Sequence, residues 1–152
     1  MFKKVLISII LSASSLFANE VVILDAYVRA VPPNLPNSAS FMKITNNSNK
    51  KISLISVNST VAKNIELHEH VKSNGMMKMQ QIQSIEIPAN STVELKPGGL
   101  HVMLIGLNKK LKATDKVDSF KFNFSDDTSI VLKNVPVKSV MMGMKKMKMN
   151  HN

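Results

Sequence analysis

The strongest constraint on how this chain can fold is its punctuation. Short segments rich in β-branched and aromatic residues recur along it, separated by clusters of Asn, Asp, Ser, Gly and Pro. Strands are expected over residues 20–28, 40–45, 51–57, 62–70, 77–82, 85–88, 92–95, 100–107, 116–124 and 129–137. The three prolines of Val31-Pro32-Pro33-Asn34-Leu35-Pro36-Asn37 make that stretch a loop, because proline lacks a donor and holds its predecessor extended. Ser73-Asn74-Gly75, Ala89-Asn90-Ser91, Pro97-Gly98-Gly99 and Asp126-Asp127 read as turns. Ile52 and Leu54 alternate with polar neighbours until the phase shifts at Ile55 and Val57, which predicts a bulge or a strand buried on both faces. No helical stripe of useful length precedes residue 138. The pattern is that of an all-β antiparallel sandwich.

The 152 residues are enough for one domain. Lys3 and Lys4, the apolar run 5–11 and the small residues leading to Ala18 read as a signal peptide over 1–18. That run is too short to span a bilayer, which takes about 20 residues, so export rather than anchoring is expected, with no membrane span. There is no Cys. Disulfides, lipid attachment at a cleavage-site Cys and a thiolate-dependent blue-copper centre are therefore not expected. The net charge of +10 falls to +8 without Lys3 and Lys4. Few, scattered aromatics offer no stacking platform, so nucleic acid is not an expected partner.

Chemistry concentrates between residues 68 and 103, where His68, His70, Met76, Met77, Met79, His101 and Met103 fall. Thioether sulfur suits copper(I), and imidazole serves copper in either oxidation state, whereas Ca²⁺ or Mg²⁺ would want oxygens. His101 and Met103 lie two apart on one strand and share a face. His68 and Met79 lie on the two arms of a predicted hairpin, near one turn. A lone Met on a strand is more often core than ligand, and Met42 and Met76 are read that way. His70 is read as a surface residue, with a role beside His68 as the alternative. Glu66 and Glu69 are read as solvated carboxylates, with orientation of the imidazoles as the alternative. No Ser-His-Asp order, phosphate loop or distinctive carboxylate pair points to an enzyme.

Ten residues separate His68 from Met79, twenty-one separate Met79 from His101, and one separates His101 from Met103. This spacing resembles that of the periplasmic PCuAC copper chaperones, the DUF461 family. Ile65-Glu66-Leu67 before the first His, Met77-Lys78-Met79, and Leu95 to Leu104 resemble the family as well. So do Tyr27-Val28-Arg29-Ala30, where the family usually has Trp at the Tyr27 position, and Phe41 to Asn46. Many members carry Met after the first His, where this chain has Glu69. The likeness covers roughly residues 20–137. It implies a cupredoxin-like Greek-key β-sandwich over 19–138, with copper(I) held by His68, Met79, His101 and Met103. It further implies a monomeric carrier delivering copper to a respiratory terminal oxidase, alongside a Sco-type thiol protein. Copper sequestration for resistance is the alternative, and a structural sandwich with incidental His and Met is a third.

Residues 139–152 differ in composition. Met141, Met142, Met144, Met147 and Met149 alternate with lysines and end at His151. The stretch reads as a flexible tail and a second copper site, with a merely basic tail that docks on acidic lipid or protein as the alternative.

Overall fold

A computed structural model describes residues 20–139, and every regular element in that span is a strand. The ten strands are β1 (Val21–Arg29), β2 (Asn37–Asn46), β3 (Ile52–Asn58), β4 (Ala62–Ser73), β5 (Met76–Ile82), β6 (Ile85–Ile87), β7 (Ser91–Leu95), β8 (His101–Leu107), β9 (Lys116–Phe124) and β10 (Ser129–Lys138). They run in the order β5-β4-β8-β2-β1-β10-β9-β3-β6, with β7 pairing β2. The path folds into two layers. One holds β5, β4, β8, β2, β7 and β1, the other β10, β9, β3 and β6. A two-residue parallel contact, Val28 with Val137 and Arg29 with Lys138, joins the layers. The result is the cupredoxin-like sandwich expected from the sequence.

The core lies between the layers. Val28, Met42, Ile44, Leu67, Val102 and Leu104 face Leu54, Ile87, Val117, Phe120, Phe122 and Phe124 across it. The phase shift read at Ile55 is a bulge: β3 pairs β9 through Leu54–Phe124 and then Ser56–Asn123. Asp118 and Ser119 interrupt the inward run of β9 opposite exposed Lys133 and Asn134, where Asn134 has φ 55°. Asn46, fully buried at the end of β2, stitches the layers together. Its Nδ2 donates to the carbonyls of Lys50, Ile87 and Pro88 at 2.7, 3.1 and 3.2 Å. Met42 is core as expected. Met76 is not: it opens the edge strand β5 beside the turn and stands exposed, because no strand lies beyond it to cover it.

Candidate metal centre

The layer made by β5, β4, β8 and β2 has a second face. Alternation sends Leu67, Val102 and Leu104 inward, so Glu66, His68, His70, His101 and Met103 must project the other way. Register then gathers them: His68 pairs His101 and Glu66 pairs Met103 across β4–β8, while His70 pairs Met79 across β4–β5. Cross-strand partners share a face. Three imidazoles and two thioethers thus meet on one side of three adjacent strands.

The turns set these positions. Asn74 and Gly75, at φ 51° and 76°, form the two-residue turn that matches strand twist in a hairpin. Gly98, at φ 82°, lets the chain double back so that Lys96 N–H donates to Leu100 O and Gly99 N–H to Lys96 O, both at 3.0 Å. That turn aims the Gly99 carbonyl at the imidazoles. His101 Nδ1 lies 3.0 Å from this oxygen and His70 Nδ1 lies 3.2 Å from it. A carbonyl only accepts, so each ring carries its hydrogen on Nδ1 and keeps the Nε2 lone pair free when neutral.

His101 is 2% exposed, and its Nε2 stands 3.0 Å from the sulfur of Met79. Two donors on a tetrahedral ion, at bond lengths of about 2.0 Å to nitrogen and 2.3 Å to sulfur, lie about 3.5 Å apart. An ion between them therefore needs only a small outward swing of the flexible Met79 side chain. Burial holds the His101 imidazole below its ordinary value of 6.5. The hydrogen bond to Gly99 opposes that shift, and the charges of His70, His68 and Arg29 add to it. His68 is oriented differently. Its Nε2 donates to Glu66 Oε2 at 2.7 Å, and its Nδ1 is buried with no hydrogen-bond partner.

A cavity of about 390 Å³ opens beside these groups, with Arg29, Phe41, His70, Met77, Met79, Pro97, Gly98, His101 and Met103 in its walls. Phe41 floors it, tilted against Tyr27 at 5.3 Å and His101 at 6.3 Å between ring centroids, with the Arg29 guanidinium 5.6 Å from its ring. A larger groove of about 610 Å³ runs along residues 57–66 but contains neither His nor Met, so it offers no soft donors. Among the described residues no three His, Asp or Glu side chains converge on one point. The thioethers of Met77, Met79 and Met103 add soft donors to the cavity wall.

Comparison with known proteins bears on this arrangement. The LpqE-like family, described as "Putative lipoprotein LpqE-like", matches residues 21–137. The chain belongs to that family. It is 36% identical over 122 residues to a protein of Leifsonia xyli subsp. xyli (strain CTCB07) named "Putative lipoprotein Lxx21020", a match covering 80% of this chain and 71% of that one. Its fold resembles the copper(I) form of DR1885 from Deinococcus radiodurans, at 30% identity, 85% of each chain and a TM-score of 0.67. It also resembles the copper-bound PCuAC domain from PmoF2, at 19% identity, with 80% of this chain and 94% of that one covered and a TM-score of 0.67.

In this LpqE-like chain His101, Met79 and Met103, three of the four residues singled out by the spacing, line the cavity together. His68 sits next to them, its ring 5.6 Å from that of His101, but it does not line the cavity. His70, read from the sequence as a surface residue, does. A signal for it was present: a two-residue Asn-Gly turn pairs Ser73 with Met76, and counting outward pairs His70 with Met79. Glu66 bonds His68 rather than being merely solvated, whereas Glu69 is half-buried and accepts from Gln80 Nε2 at 2.7 Å. The signal peptide (1–18) and the tail donors from Met141 to His151 lie outside the described residues.

Proposed function

We propose that this protein is an exported, periplasmic copper(I) carrier in which His68, Met79, His101 and Met103 hold the ion. The observation that carries this reading is the 3.0 Å approach of His101 Nε2 to the Met79 sulfur, with Met103 on the same cavity wall. These donors are neutral, so binding releases no proton from sulfur and the ion is not trapped by ligand charge. That favours a carrier over a catalyst. The structural neighbour DR1885 has a copper(I) form, and the PCuAC domain of PmoF2 a copper-bound one, which supports the choice of metal. The recipient is the copper site of a respiratory terminal oxidase, with a Sco-type thiol protein in the same pathway. Residues 1–18 direct export, 19–138 form the copper domain, and the protein acts as a monomer.

Met79→Ala and Met103→Ala each weaken copper(I) binding at least tenfold in an anaerobic competition titration. An unchanged affinity removes that residue from the site. The methionine-rich tail favours a second reading, in which Met141, Met142, Met144, Met147, Met149 and His151 hold another copper and the protein sequesters the metal. Copper counted with and without residues 140–152 tests the tail. Loss of oxidase activity at low copper in a deletion strain marks delivery, and copper sensitivity with normal respiration marks storage.

A further inference from the structure

Two donors of the same chemistry line the cavity and have no part in the four-ligand site. We propose that His70 and Met77 form an outer copper(I) position at the mouth of the pocket, sharing the Met79 sulfur with the inner set, through which the ion enters and leaves. This deepens the carrier reading above and depends on it.

Register carries the proposal. His70 stands directly across from Met79, and Met77 lies two residues before Met79 on the same face of the edge strand. All three side chains line the cavity that also holds His101 and Met103. Exposure grades inward along them, from 59% at Met77 through 48% at Met79 to 2% at His101. The ring centroids of His70 and His101 are 5.2 Å apart, so an ion moves only a short way between the two imidazoles.

The Gly99 carbonyl supplies a second, independent argument. Because it accepts from Nδ1 of both rings, it sets His70 in the tautomer that leaves Nε2 as the donor atom, as it does for His101. His68 lies off the cavity wall, so an arriving ion meets His70 first. Met79, with a thioether and rotatable bonds, swings between the two positions. At each exchange one copper–donor bond forms as another breaks. The ion stays monovalent and, since every donor is neutral, no proton moves.

The test is the rate at which excess bathocuproine disulfonate captures copper(I) from the loaded full-length protein, followed anaerobically by stopped flow. In His70→Ala/Met77→Leu the rate falls at least tenfold, because the inner ion has lost its way out. An unchanged or faster rate overturns the outer position, since a hairpin that is merely loosened sheds its ion sooner. Titrating copper(I) into the wild-type chain gives a reading free of mutation: the His70 Nε2 nitrogen resonance shifts with added metal, and a stationary resonance overturns the proposal. Failure of the wild type to bind copper(I) at all overturns the carrier reading and this one together. Binding with unaltered rates overturns only the outer position.

Discussion

Glu66 offers a test of the proposed site, in which it would position His68 without touching the ion. Its Oε2 accepts from His68 Nε2 at 2.7 Å, in a pair whose side chains are only 28% and 14% exposed, so solvent screening does not erase the interaction. The bond places the ring hydrogen on Nε2 and leaves Nδ1, buried and without a partner, as the donor atom. A charge-assisted hydrogen bond is roughly twice as strong as a neutral one. Glu66→Gln keeps an acceptor but loses the charge, which lowers copper(I) affinity about tenfold, or about 1.4 kcal/mol. Glu66→Ala loses the acceptor as well and approaches about 100-fold. Competition against a chromophoric copper(I) chelator under anaerobic conditions measures both, with nitrogen NMR of the His68 ring reporting the tautomer. An affinity within about twofold of wild type in Glu66→Ala would refute the claim that this carboxylate prepares His68 for metal.

Further expectations follow from the same geometry. His101 has its folded-state value held below 6.5, so it remains an unprotonated donor at mildly acidic pH. Copper(I) affinity dependent on His101 therefore persists as pH falls through 6.5 and declines only lower; a loss already complete by pH 6.5 would contradict this. The same shift makes the unfolded state bind the proton first. Its contribution to apo-protein stability is thus intact above 6.5 and is lost as pH falls below it, which urea titrations at several pH values measure. Asn46→Ala leaves the buried or partly buried carbonyls of Lys50, Ile87 and Pro88 without their donor. It costs about 3 kcal/mol in urea unfolding, and a loss under about 1 kcal/mol would show that water replaces the side chain.

Strand positions were legible because turn residues and period-two alternation act locally. The Ile52-to-Val57 phase shift appears as a bulge because hydrophobic residues there leave the alternation that a regular strand would keep. The parallel contact of Val28 with Val137 was not legible, since it joins strands from opposite ends of the domain and rests on no local signal. The bulge between Leu24 and Tyr27, with Asp25 at φ 55°, also escaped notice, although it re-aims Tyr27 towards Phe41 beneath the site. The spacing picked out His68, Met79, His101 and Met103, and the last three line one cavity because residues two apart on a strand and partners across a hairpin share a face. It took His68 and left His70 as a surface residue. Both lie on that face, and only the register of β5, set by Asn74 and Gly75, puts His70 rather than His68 opposite Met79.

X-ray absorption at the copper edge of the copper(I)-loaded protein, with residues 140–152 removed, tests the central claim most directly. Scattering from two nitrogen and two sulfur neighbours is the predicted result. A shell of nitrogen and oxygen alone, with no sulfur, would contradict it.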